Sequence, residues 1–146
     1  SYFTHERAWQ AGDLIELHIP VPARLTAPNP RIEDLRGTLA IERGPFVYCL
    51  EQVDQQPDVS FNDLIIDPSQ PLETSWREDL LGGVAAITAN GAIRDTAEWG
   101  DRLYRSYPTR RSAQRAVKFT AIPYYAWSNR DAGWMRVWLP AESPDT

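Results

Sequence analysis

The 146-residue chain has the size of one domain, and with 15 basic against 20 acidic side chains and a pI near 5.0 it lacks the positive surface that phosphate backbones require, so no nucleic-acid partner is expected. Its one cysteine, Cys49, excludes an intramolecular disulfide and a zinc site built on several thiolates, and leaves the redox compartment open. Apolar runs are only a few residues long, far short of the about 20 that span a bilayer, so no membrane partner is expected and the chain reads as soluble. A start at Ser1 without Met reads as a fragment of a longer protein or a processed product.

In chain order, the first signal is "LIELHIPVP", residues 14–22. Ile15, Leu17, Ile19 and Val21 alternate with Glu16, His18 and Pro20, which predicts a half-buried strand after the Gly12-Asp13 turn. "PARLTAPNPRIED" carries too many prolines for a central strand and is expected to be an ordered loop or an edge. "GTLAIERGPFVYCLEQV", residues 37–53, predicts a hairpin bending at Arg43-Gly44-Pro45. Its second arm is apolar on both faces, as suits a central strand or a domain junction. Turn formers then bracket a short strand at Leu64-Ile65-Ile66.

"GGVAAITANGAIRD" predicts a second hairpin around Asn90-Gly91, because a type I′ turn needs positive φ at both central residues. Residues 95–115 are polar, Arg-rich and aperiodic, and predict a long surface loop or a weak helix. "AVKFTAIPYYAW" alternates Val117, Phe119 and Ala121 against Lys118 and Thr120, and "GWMRVWL" sets Met135, Val137 and Leu139 opposite Trp134, Arg136 and Trp138, so both predict strands. No stretch of a dozen residues has helical periodicity. Short strands between Pro/Gly turns predict an all-β fold, an antiparallel, jelly-roll-like β-sandwich over residues 1–146.

The residues offer little that points to chemistry. Candidate carboxylate pairs such as Glu42 with Glu51, or Glu6 with Asp13, flank strand ends, where solvated acids are ordinary. His5 and His18 have no His/Cys cluster at metal-ligand spacing, so no metal site is expected. No nucleophile elbow, phosphate loop or dinucleotide fingerprint is present. Cys49, inside an apolar run, is expected to be an inert buried thiol.

Three stretches taken together are distinctive: "RAWQAGDLIELHIPVPARL" (7–25), "GTLAIERGPFVYCLEQVD" (37–54) and "AIPYYAWSNRDAGWMRVWLP" (121–140). In order and spacing they closely resemble the C-terminal region of the glycoside hydrolase family 127 β-L-arabinofuranosidase-like proteins. The resemblance implies an N-terminal catalytic (α/α)6 barrel followed by β-sandwich domains, with a nucleophilic cysteine in a zinc site of one Glu and three Cys inside the barrel. Only Cys49 is here, outside any such motif, so no catalytic residue carries over and no cofactor is expected in this chain. The resemblance also implies a split sandwich whose last strand returns to the first part: residues 1–52 plus 134–140 in one sub-part, 55–128 in the other.

The stretch 121–140 holds three of the six tryptophans and two adjacent tyrosines. Such rings fill a core, form an interface, or hold a sugar face while neighbouring polar groups bond its hydroxyls. Tyr124, Tyr125, Trp127, Asn129 and Arg130 are the candidates for interface or carbohydrate contact. Asn129-Arg130-Asp131 also suits a plain turn, with Arg130 paired to a carboxylate or stacked on Trp127. The expected function is that of a non-catalytic C-terminal module supporting the barrel of its parent glycosidase, with a homodimer as a further expected contact. The alternatives are a carbohydrate-binding module with an aromatic platform, and a sandwich that lends a loop to the parent's substrate pocket.

Overall fold

The computed structural model describes residues 2–106 and 114–141. It is all-β and antiparallel, a β-sandwich-like sheet of nine strands curled into a half-barrel, in the order β1-β2-β3-β7-β6-β4 with β5 on β6, β8 on β3 and β9 on β2. The strands are β1 (Ala23–Thr26), β2 (Thr38–Arg43), β3 (Phe46–Glu51), β4 (Leu64–Ile66), β5 (Glu73–Arg77), β6 (Val84–Arg94), β7 (Gln114–Pro123), β8 (Met135–Arg136) and β9 (Leu139–Pro140). No helix among the described residues is long and apolar enough to cross a membrane.

The β2–β3 hairpin forms where the sequence predicts it, with Gly44 at φ +57° supplying the left-handed step of its two-residue loop. β3 then runs between β2 and β7, paired on both sides. That position explains its two apolar faces. Tyr48 and Leu50 enter the main core with Ile41, Phe61, Leu64, Ile66, Ile87, Phe119 and Leu139, while Cys49 turns the other way into a smaller cluster with Leu80, Val84, Ile122 and Ala126. Tyr48 keeps its hydroxyl satisfied by donating to Ala85 O at 2.9 Å. β4 forms at Leu64–Ile66 as predicted, and Val117, Phe119 and Ala121 of β7 are buried.

The expected hairpin at Asn90-Gly91 is overturned. β6 runs unbroken through both residues and pairs with β7 from Ile87 to Arg94. Gly91 serves close approach instead: a Cβ there would stand 2.2 Å from Ile65 O and 2.9 Å from Phe119 Cε1. β5 begins within residues that read as turn formers, because an edge strand of Glu, Thr, Ser, Trp and Arg with a single apolar residue carries no apolar periodicity to betray it.

The strand expected over 14–22 is also absent. These residues are exposed and belong to no ladder, and Ile15, Leu17 and Ile19, expected in the core, are 69%, 77% and 65% exposed. An alternating segment becomes a strand only where a sheet edge accepts its backbone, and among the described residues the edge begins at Ala23. Val47 is likewise exposed at the hairpin tip. The strand expected across "GWMRVWL" is two short ones separated by a bend at 137–138.

The last strands return to the first ones. Met135 and Arg136 pair with Glu51 and Leu50, Leu139 pairs with Leu39, and Ala141 makes a parallel bridge to Ile66. Residues 139–141 thereby bridge β2, next to one end of the strand order, to β4 at the other end, with Leu139 buried.

Candidate functional site

The polar chemistry gathers at the Glu51 end of β3. Glu51 is the one charged residue in the core of the described residues. Arg130 donates from its two terminal nitrogens to Asp54 Oδ1 and Oδ2, each at 2.6 Å, and from Nη2 also to Glu51 Oε2. Glu51 Oε1 accepts the backbone N–H of Ser128 at 2.9 Å. The fork of the guanidinium matches the planar carboxylate of Asp54, and these hydrogen bonds hold the Arg130 proton even more firmly than usual against the opposing cost of burial. Ser128 takes a positive φ of 65°, the strained step that brings its N–H to Glu51.

This clamp positions two segments at once. The 3-10 turn Gln52–Asp54 is held on the other side by Gln55, which donates to Glu51 O and Thr120 O and accepts from Thr120 N, extending the hydrogen bonding of β7 with a side chain. The loop 128–133 is fixed against it, since Gln52 N donates to Trp134 O at 3.0 Å and a Cβ on Gly133 would stand 3.1 Å from Gln52 Cβ.

The five residues singled out in the sequence divide here. Arg130 is the half-buried centre of the clamp. Asn129 donates to Ala126 O and Trp127 O and so braces the turn. Tyr124, Tyr125 and Trp127 are exposed, and none belongs to the buried core. Tyr125 meets Phe46 edge to face at 5.5 Å, at the hairpin tip, and Tyr124 lies 5.7 Å from Trp127.

A sixth residue, not among those five, is more exposed than Tyr124, Tyr125 or Trp127. Trp134 is 79% exposed and stands between two adjoining grooves. The larger, about 580 Å³, is walled by Gln52, Asp58, Ser60, Asn62 and Arg136 beside Phe61. The smaller, about 290 Å³, lies over Trp127, Ser128, Arg130 and Asp131. Arg136 is set in its wall by donating to Phe61 O and to Asn62 Oδ1. The alternation of Met135, Val137 and Leu139 already put Trp134 on the opposite face; a density of aromatic residues that reads as core hid the consequence.

Cys49 does not belong to this chemistry. Burial, reinforced by the charges of Glu51 and Asp54, pushes its thiol up to about 12 from 9.0. Among the described residues no three His, Cys, Asp or Glu side chains are grouped to hold a metal ion, and the acids nearest Cys49 are already taken by Arg130. A zinc site of one Glu and three Cys, which the resemblance implies for the barrel, does not fit a chain whose one cysteine is Cys49.

The family profile of the glycoside hydrolase family 127 C-terminal domain matches residues 23–140. A non-reducing end β-L-arabinofuranosidase of Bifidobacterium longum subsp. longum is 35% identical over 132 residues, 87% of this chain and 20% of that protein. The crystal structure of a family 127 β-L-arabinofuranosidase from Geobacillus stearothermophilus T6 superposes with a TM-score of 0.74 at 37% identity, covering 84% of this chain and 19% of that one. A second solved family 127 β-arabinofuranosidase gives a TM-score of 0.68 at 30% identity over 86% of this chain and 18% of its own. The chain thus spans about a fifth of the length of these relatives. By profile, sequence and fold together, the chain belongs to glycoside hydrolase family 127, as the C-terminal domain of its β-L-arabinofuranosidase-like proteins.

Proposed function

We propose that this domain is a non-catalytic module of a β-L-arabinofuranosidase-like glycoside hydrolase, and that it braces the rest of the parent chain through the segment 14–22. The observation that carries this is the exposed row of Ile15, Leu17 and Ile19 on an extended segment with no ladder partner among the described residues. Such a row has unmet backbone groups and an unmet apolar face, and adding it to a neighbouring sheet satisfies both. The segment departs from a held position, since Val21 Cγ1 would lie 2.9 Å from a Cβ on Gly44 at the hairpin tip. The partner we assign is the portion of the parent that includes the (α/α)6 barrel. Phe46, Tyr124, Tyr125 and Trp127 widen the available contact at the same end of β3, toward the barrel or toward a second copy in a homodimer. The buried thiol of Cys49 and the clamped acids Glu51 and Asp54 support a non-catalytic role, with the family's zinc chemistry placed in the barrel.

The test compares Leu17→Asp in the full-length protein and in the isolated domain. Burying one such side chain stabilises by about 1.5–3 kcal/mol, so the full-length variant is expected to lose at least that much stability while the isolated domain, where Leu17 is already exposed, unfolds at an unchanged midpoint. Equal midpoints for variant and wild type in both settings would overturn the docking role.

A further inference from the structure

We propose that the paired groove around Trp134 is a binding subsite for a neutral, arabinose-bearing oligosaccharide. Sugars are held by a flat apolar face for the ring C–H groups and by donors and acceptors around it for the hydroxyls. Trp134 supplies the face, and its backbone is held in place. Its carbonyl accepts from Gln52 N, Gly133 presses on Gln52, and the loop leading to it is tied down by Ser128 and Arg130 on Glu51 and Asp54. A backbone fixed before binding loses little freedom on binding.

The surround supplies the hydroxyl partners. Gln52, Ser60 and Asn62 offer amide and hydroxyl groups along the larger groove, and Arg136 is held in register by Phe61 O and Asn62 Oδ1. Of the charges in that groove's wall, Asp58 meets Arg115 at 2.7 Å, while Arg136 is held by the neutral acceptors Phe61 O and Asn62 Oδ1. Neutral amide and hydroxyl partners suit an uncharged ligand. The volume of about 580 Å³ accommodates one to a few sugar rings. A protein partner is less well matched, because the site is concave and edged with polar groups, whereas the flat apolar surfaces gather at the opposite end of β3, around Phe46 and Tyr125.

The choice of sugar, though not the groove itself, rests on the proposed function. Affinity electrophoresis of the full-length protein through gels containing soluble arabinan tests it. Wild type is expected to be retarded, Trp134→Phe to keep most of the retardation, and Trp134→Ala to bind about tenfold more weakly. Trp134 is mostly solvent-exposed, so an unchanged unfolding midpoint in the Ala variant separates lost binding from lost fold. Leu17→Asp is expected to leave the retardation intact, so failure of docking and failure of sugar binding are read separately. Unretarded wild type, or equal retardation of wild type and Trp134→Ala, would overturn the subsite.

Discussion

Arg130 grips Asp54 with both terminal nitrogens at 2.6 Å, and through this one pair a loop more than seventy residues downstream is fastened to the end of β3. The partners are partly buried, with side chains 18% and 8% exposed, so an unmatched charge there is costly.

Removing the cation strands two carboxylates at once. Arg130→Ala is expected to lower the unfolding free energy by about 3 kcal/mol, from the cost of leaving Glu51 and Asp54 unpaired. Arg130→Lys keeps the charge but not the fork, and should recover only part of that loss. Urea unfolding of the three chains side by side checks the order; a Lys variant as stable as wild type would show that charge alone suffices.

Gly91 makes a prediction of a different kind, since its substitution adds atoms instead of removing them. A methyl group 2.2 Å from Ile65 O forces β4 and β6 apart, and Gly91→Ala is expected to cost about 3 kcal/mol. Ile65 and Phe119 are both in the buried interior, so the displaced atoms have no easy retreat. A thermal shift of only a degree or two would mean that the strands separate more freely than the packing implies.

The buried thiol gives a pH signature. Cys49 is raised from 9.0 to about 12 in the folded chain, with burial the largest cause. The sign follows from which state loses its proton first. Below about pH 9 both states hold it and the full stability is present; as pH climbs from about 9 to about 12 the unfolded chain ionises first, and stability falls. Alkylation by iodoacetamide at pH 8 should accordingly be slow in the native chain and fast in urea. Cys49→Ala should flatten the alkaline fall.

The legible parts of this fold are those in which a local rule and the global structure agree. Gly44-Pro45 marks a turn, and the chain turns there; Val117, Phe119 and Ala121 alternate, and they point into one core. Agreement failed where a residue had two meanings. Gly91 after Asn90 reads as a turn by conformational freedom, yet its role is the space left by a missing side chain, and only the identity of the strands beside it decides between these. Ile15, Leu17 and Ile19 carry a pattern whose strand requires a partner that the pattern cannot name. The Arg130 clamp was legible in kind, as pairing with a carboxylate, but not in its partners, because Asp54 and Glu51 are two among twenty acids. Trp134 stood out least, since an exposed ring and a buried ring are spelled alike.

The bridge that residues 139–141 make between β2 and β4 has a consequence for synthesis. Leu139 meets Leu39 across about 100 residues of chain, so the seam joining β2 to β4 cannot form until nearly the whole domain has left the ribosome, and the search that joins it is slow. Until then Leu39, Ile66 and the core behind them lie open at one side. A nascent chain of this domain is therefore exposed to wrong partners for most of its translation, and the few residues from Met135 to Ala141 act as the latch that ends that vulnerable interval.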